Sequence, residues 1–175
     1  VRRRLAGLQE WFDTAGVPFD DAPIHEAGGF DEASGRWATR ALLDEHDVTA
    51  LLCTSDTMAL AALEEMESRG LRAPADISVI GFDDAPASAA RGLTTIRQPL
   101  HRKGELAADM LGRLLAGETD VPCVEFSTDL LVRATTGPPA RDFVRCTRRH
   151  LVILFTCIFT RINREGAACR RSSAC

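Results

Sequence analysis

Residues 51–84 read LLCTSDTMALAALEEMESRGLRAPADISVIGFDD, and this stretch decides the fold. Compact apolar runs at 48–53 and 76–82 predict two buried strands, and the apolar stripe between them predicts a helix that ends at Gly70. Buried strands that alternate with helices are typical of a parallel sheet. The sequence therefore predicts an α/β fold.

The same alternation continues on both sides of this stretch. Helical periodicity and short apolar runs, separated by glycine and proline breakers, mark the other elements. Helices are predicted at 2–15, 37–45 and 102–116, and extended segments at 24–27, 94–97, 123–126 and 130–134. We expect a parallel sheet with helices on both faces.

A breaker cluster, Thr136-Gly137-Pro138-Pro139, separates an acidic, periodic part of the chain from an Arg-rich tail. Residues 1–139 are predicted to form the domain, and residues 140–175 to lie outside its fold. The tail holds eight arginines against two acidic residues, and its apolar run 151–159 is shorter than the roughly 20 residues of a membrane-spanning helix. We interpret the tail as a displaced reading frame or truncated gene; a basic tail for nucleic acid or membrane surfaces is the alternative.

The sequence contains none of the common catalytic motifs. No nucleophile elbow, P-loop, zinc-protease or dinucleotide motif occurs, and the four histidines are scattered, so we expect neither an enzyme nor a cofactor. Cys53 and Cys123 lie in apolar runs and are interpreted as buried core residues in a reducing cytosol. The four tail cysteines have no metal-site spacing, and we expect no metal. The first residues show neither a secretory pattern nor a starting methionine, so we expect the chain to be a piece of a longer protein. We expect that protein to be cytoplasmic.

Three groups of residues directly follow predicted strands, where open parallel sheets bind ligands. Asp83-Asp84 offers carboxylates that can accept hydrogen bonds from neighbouring hydroxyls, or else cap a turn. Thr54-Ser55-Asp56 could line a pocket, or serve as ordinary helix caps. Gly28-Gly29-Phe30 could bring backbone and a ring close to a ligand, although glycines before a helix are common.

Residues 51–84 together with LTTIRQPL at 93–100 resemble the LacI/GalR family of bacterial transcription regulators in both order and spacing. The resemblance extends to RRRLAGL at 2–8, GGFDEASG at 28–35 and LLVRATTGPPA at 130–140. It implies a periplasmic-binding-protein-like type I fold that is incomplete here, mainly its C-terminal lobe. No helix-turn-helix head or first lobe is present in this sequence.

The resemblance also implies a set of effector-binding residues. Arg4 and Asp83 would bind polar groups of a small effector, often a sugar, and Phe30 would pack on it. Ser55 and Gln98 would line the same pocket. Arg4 lies in a run of three arginines, so a solvated basic terminus is the alternative for it.

By this resemblance, the parent protein is a dimeric regulator that binds operator DNA through a head absent from this chain. The dimer would form through the helix 58–67 and the loop 87–93, although a core within one chain would explain Ala61 and Ala62 equally well. The rival interpretations are the sugar-binding protein of an ABC transporter and a nonfunctional truncated remnant. The apolar stripe of the helix 102–116 is expected to lose its burial without the first lobe.

Overall fold

The computed structural model describes residues 2–16, 24–138 and 150–156. Its helices are α1 (Arg2–Ala15), α2 (Glu32–Glu45), α3 (Asp56–Ser68), α4 (Pro86–Ala90) and α5 (Leu100–Leu115). Its strands are β1 (Ile24–Ala27), β2 (Val48–Cys53), β3 (Ser78–Asp83), β4 (Thr94–Arg97), β5 (Asp129–Leu131) and β6 (His150–Thr156). The chain divides into two compact units: the first contains α1 to α4 and every one of these strands, and the second contains α5.

The strands form one sheet in the order β1-β6-β2-β3-β4-β5. All neighbouring pairs are parallel except β4 and β5, which are antiparallel. The predicted α/β class is confirmed, and the sheet is mixed because of its edge strand β5. The helices α2, α3 and α4 join β1 to β4 in turn, so the carboxyl ends of these four parallel strands lie at one edge of the sheet.

Local sequence explains the two long helices that contact the sheet. The Asp31 side chain accepts a hydrogen bond from the Ser34 amide and begins α2, and the Ser55 side chain does the same for α3 through the Met58 amide. Gly35 lets α2 approach α3, since a Cβ there would lie 3.1 Å from the Ala61 Cβ. Ala61 is 1% exposed, so the packing of α2 on α3 within the chain explains its small size.

Three predicted elements differ in the structure. Residues 123–126 form no strand, and Cys123 is exposed rather than buried, whereas Cys53 is buried as predicted. The strand predicted at 130–134 is β5, which ends at Leu131. Beyond it, the Arg133 amide donates to the Thr94 hydroxyl at 2.9 Å. The loop predicted before β4 contains the short helix α4, which Pro86 opens at its first turn.

Part of the Arg-rich tail also differs from its prediction. Residues 150–156, expected outside the fold, form β6 and pair with both β1 and β2. Pro139 and residues 140–149 and 157–175 lie outside the described residues. The domain boundary near Pro139 therefore stays a prediction.

The second unit contains an amphipathic helix whose apolar residues are exposed. In α5 none of the residues is buried, and Leu111, Leu114 and Leu115 are all more than half exposed. The helix is stabilised on its polar side by the ion pair of Arg102 with Glu105, at 3.1 Å. No helix within the described ranges combines the length and apolar character needed to cross a membrane.

Candidate functional site

The predicted site residues gather at the carboxyl edge of the sheet. Asp83 ends β3, Ser55 follows β2, Gln98 follows β4 and Phe30 follows β1. Loops at this edge form the ligand crevice of open α/β sheets. The edge is therefore the place where a small molecule would contact the greatest number of predicted residues.

Asp83 has an unusual backbone that aims its side chain. Its φ of 116° lies outside the regions that L residues favour, and Asp84 follows in the left-handed region at 60°. The Gln98 amide donates a hydrogen bond of 2.5 Å to Asp83 Oδ1. Backbone strain of this kind costs on the order of 1–3 kcal/mol and is found at ligand sites, where surrounding contacts maintain it.

Arg4 reaches the same edge from α1. Its Nη1 donates a hydrogen bond of 2.8 Å to the carbonyl oxygen of Thr54, and its guanidinium carbon lies 3.4 Å from the centre of the Phe82 ring. Partial burial lowers the pKa of Arg4 from its ordinary value, and the negative charge of Asp83 opposes that shift. Arg4 is exposed, and a hydrogen bond and a cation–π contact hold its guanidinium against Thr54 and Phe82.

Asp84 anchors the turn instead of lining the crevice. Arg133 donates to its Oδ1 at 2.6 Å and Arg97 to its Oδ2 at 2.8 Å. These two guanidinium groups, with Arg133 the larger influence, hold the pKa of Asp84 below its usual range. Because Arg133 also donates to the Leu93 carbonyl at 2.8 Å, the turn at the end of β3 is tied to the start of β4.

Ser55 and Phe30 differ in how closely they join the site. Ser55 is buried, and its hydroxyl accepts from the Met58 amide at 3.3 Å, so its ordinary role as a helix cap is present in the structure. Ser55 is adjacent to Thr54, which Arg4 contacts. Phe30 is 39% exposed on the loop after β1. Within the described residues, the Arg4 guanidinium lies over the ring of Phe82 rather than over that of Phe30.

Asp56, which the sequence analysis offered as a pocket residue or a helix cap, is instead a buried structural residue. Its carboxylate is 1% exposed and accepts from the Ala85 amide at 2.7 Å, the Ser88 hydroxyl at 2.5 Å and the Thr95 hydroxyl at 2.5 Å. It therefore joins α3 to α4 and β4. Gly81 leaves the necessary room, since a Cβ there would meet Asp56 Oδ1. A glycine inside a buried strand is the one signal of this close approach.

The arrangement offers hydrogen-bonding groups of both kinds to a polar molecule. A carboxylate, an amide and a guanidinium at one sheet edge offer both acceptors and donors to a hydroxyl-rich molecule, and the face of Phe82 already carries the cation. No group of three or more histidine, cysteine or acidic residues in the described ranges could hold a metal ion.

Comparison with known proteins gives concordant matches. The sequence model of the periplasmic binding protein-like domain family matches residues 1–136. An HTH-type transcriptional regulator of Mycobacterium tuberculosis is 36% identical over 141 residues, which cover 79% of this chain and 39% of that protein. The chain thus spans well under half the length of this relative.

Two solved structures are similar to this chain in both sequence and fold. A LacI-family transcriptional regulator from Corynebacterium glutamicum is 36% identical with a TM-score of 0.72, covering 78% of this chain and 40% of that one. The transcriptional regulator CelR in complex with cellobiose is 36% identical with a TM-score of 0.65, covering 75% of this chain and 41% of that one. The named relatives are transcriptional regulators rather than enzymes.

Proposed function

Because this chain belongs to the LacI family of transcriptional regulators and covers part of its periplasmic binding protein-like, effector-binding domain, we propose that the sheet edge at Asp83 binds a small effector of the sugar class. The observation that carries the proposal is Asp83, which has a strained backbone and a carboxylate that accepts a hydrogen bond from the Gln98 side chain. This carboxylate is also close enough to Arg4 to influence its pKa. Sugar hydroxyls are recognised by such fixed acceptors and donors. The cellobiose complex of CelR supports the same ligand class.

Each predicted residue then has a defined role. Asp83 accepts hydrogen bonds from effector hydroxyls, Gln98 orients that carboxylate, and Arg4 donates to effector oxygens. Ser55 lines the crevice while it caps α3. Phe30, whose side chain is exposed on the loop after β1, packs on the apolar face of the effector.

The test is calorimetric titration of the chain with cellobiose, glucose, ribose and adenosine as probes. We expect at least one of the three sugars to bind, and Asp83→Asn to weaken its binding about 10- to 100-fold, because a hydrogen bond to a charged group contributes about 1.5–3 kcal/mol. Asp47→Asn is the matched control, since this exposed carboxylate precedes β2 at the opposite edge. Equal affinity of both variants would overturn the assignment, as would binding of adenosine alone.

We further propose that the parent protein is cytoplasmic and controls transcription as a dimer that binds operator DNA through a helix-turn-helix head outside this chain. The HTH-type regulators among the relatives support this role. The dimer would use the outer face of α3, where Thr57, Glu64 and Glu67 are exposed, together with the neighbouring end of α4. Arg91 links the two elements through its 2.7 Å ion pair with Glu67. Met58 and Leu93, within the segments predicted for the dimer, are fully buried inside one chain and cannot contribute.

A further inference from the structure

Phe82 lies in β3 on the face of the sheet opposite α3. The burial of β3 alternates up to Gly81, and a Cβ at Gly81 would meet Asp56 and Ala59 of α3. Successive side chains of a strand point to opposite faces, so the Phe82 side chain points away from α3. The ring therefore stands on the other face of the sheet, one residue before Asp83.

Two contacts hold the guanidinium of Arg4 against this part of the sheet. Its carbon is 3.4 Å from the centre of the Phe82 ring, and its Nη1 donates a hydrogen bond of 2.8 Å to the Thr54 carbonyl. Leu52 and Ile80 are paired in register, and Thr54 and Phe82 each follow two residues later, so the contacts come from the ends of neighbouring strands. Arg4 therefore bridges β2 and β3 next to the candidate site.

Together these contacts fix the orientation of the guanidinium. A separation of 3.4 Å between its carbon and the ring centre is van der Waals contact, which a planar guanidinium reaches only when it lies flat on the ring. Its N–H groups then point outward in a plane parallel to the Phe82 ring. The hydrogen bond to Thr54 fixes the rotation of the group within that plane, so the directions of the other N–H groups of Arg4 are set as well.

A guanidinium that is already ordered binds oxygen atoms more tightly than a mobile one. An arginine side chain has several rotatable bonds, and ordering them when a ligand binds lowers the affinity. The ring of Phe82 orders Arg4 before a ligand arrives, through a cation–π contact that an aliphatic side chain cannot make. The ring face beneath Arg4 is at the same time closed to an effector.

We propose that Phe82 is a positioning residue of the effector site, whose ring holds Arg4 in the orientation that donates to effector oxygens. This role rests on the proposed function, in which Arg4 contacts the effector. Phe82 acts on the effector only through Arg4, and stacking of the effector on an aromatic ring is left to Phe30. A leucine at position 82 would fill much of the same space without supplying a π-system.

Nuclear magnetic resonance of the arginine side chains tests the stacking in the whole chain without an effector. Protons held over an aromatic ring resonate upfield. We therefore expect the Nε–H signal of Arg4, assigned by its absence in Arg4→Lys, to be shifted upfield and to show a nuclear Overhauser effect to the Phe82 ring. Phe82→Leu should remove the shift, and Phe82→Tyr should preserve it. An unshifted Arg4 signal in the unchanged chain would overturn the proposal even if Phe82→Leu did not fold.

Calorimetric titration tests the effect on binding, with whichever of cellobiose, glucose and ribose binds the unchanged chain. We expect Phe82→Leu to weaken binding about 2- to 5-fold, the scale of one exposed cation–π contact, and Phe82→Tyr to restore the affinity to within about twofold. Trp37→Leu removes an exposed ring of α2 and is the matched control, with unchanged affinity. Equal affinity of Phe82→Leu and the unchanged chain would contradict the positioning role.

A double-mutant cycle separates positioning from support of the fold. If Phe82 acts through Arg4, adding Phe82→Leu to Arg4→Gln should weaken sugar binding no further, whereas losses that add would make Phe82 a fold residue and overturn the proposal. Failure of the proposed function has a different signature, since none of the three sugars would then bind the unchanged chain. In that case the Arg4 signal still decides whether the Phe82 ring holds the guanidinium.

Discussion

Asp56 gives the sharpest test of how this fold is held together. Its carboxylate is 1% exposed and accepts three hydrogen bonds from groups 29 to 39 residues away in sequence. In Asp56→Ala the hydroxyls of Ser88 and Thr95, which are fully buried, lose this acceptor. A buried donor left unsatisfied costs about 1–3 kcal/mol, so we expect a loss of about 3–5 kcal/mol in unfolding free energy.

The isosteric variant Asp56→Asn separates the contribution of the charge from that of the hydrogen bonds. An asparagine oxygen can still accept from the Ala85 amide and the Ser88 hydroxyl, while the Thr95 hydroxyl can rotate to accept from the new amide. Only charge assistance is lost, and we expect a cost of about 1–2 kcal/mol. If the carboxylate acted only on the dipole of α3, both variants would lose less than about 1 kcal/mol.

Urea unfolding followed by far-UV circular dichroism measures these differences. At 2–4 °C for each kcal/mol in a chain of this size, Asp56→Ala should also lower Tm by about 6–20 °C. Equal losses for the alanine and asparagine variants, or an alanine loss below about 1 kcal/mol, would refute the reasoning. Should Asp56→Ala fail to fold, Ser88→Ala and Thr95→Val each remove one of the bonds and should each cost about 1 kcal/mol.

Three further predictions concern Gly81, the ion pairs of Asp84 and Glu65, and the outer face of α3. Gly81→Ala should destabilise the chain by about 1–3 kcal/mol in urea unfolding, because its Cβ would displace the Asp56 carboxylate, and a loss below about 0.5 kcal/mol would contradict that contact. Arginine partners lower the folded pKa of Asp84 and Glu65, so these groups stabilise the fold above their unfolded pKa of about 4 and lose that contribution as pH falls through the folded value. Unfolding free energy measured across pH 7 to 3 should therefore decline below about pH 4, and Asp84→Asn should flatten the decline. In sedimentation equilibrium, Thr57→Lys on the outer face of α3 should weaken a dimer at least about tenfold, the scale of one well-packed interface residue, while an unchanged association constant would place the interface elsewhere.

The four long helices and the first four strands follow from the sequence because their signals are local, whereas the five-residue helix α4 was expected to be a loop. The apolar stripe at Met58, Ala62 and Met66 forms the buried side of α3, and the runs at β2 and β3 are the buried strands that their β-branched residues indicate. Residues 123–126 have the same apolar character, but no described strand pairs with them. Composition alone cannot distinguish a strand from an extended segment without a partner.

The strand β6 was missed for the opposite reason. Its apolar run was noted, but its neighbours β1 and β2 lie more than a hundred residues earlier in the chain, and no local signal predicts such a pairing. The Asp56 hydrogen bonds and the stacking of Arg4 on Phe82 are equally nonlocal. The family resemblance supplied the effector-binding assignments of Arg4, Asp83 and Gln98, while the helix-cap interpretation of Ser55 came from its position before α3.

The two consecutive aspartates differ in their partners: Asp84 binds two arginines, and Asp83 binds Gln98. Asp84 accepts hydrogen bonds from Arg97 and Arg133, and Arg133 also donates to the Leu93 carbonyl at the start of β4. Asp84 therefore stabilises the turn between these strands. Asp83, one residue earlier, has the strained backbone, and it is held by Gln98 from the segment that follows β4. The strand β4 contains both Arg97, which donates to Asp84, and Thr95, which donates to the buried Asp56. The geometry at Asp83 therefore depends on the buried hydrogen bonds of Asp56. Loss of these bonds should therefore weaken effector binding even where the binding residues themselves are intact.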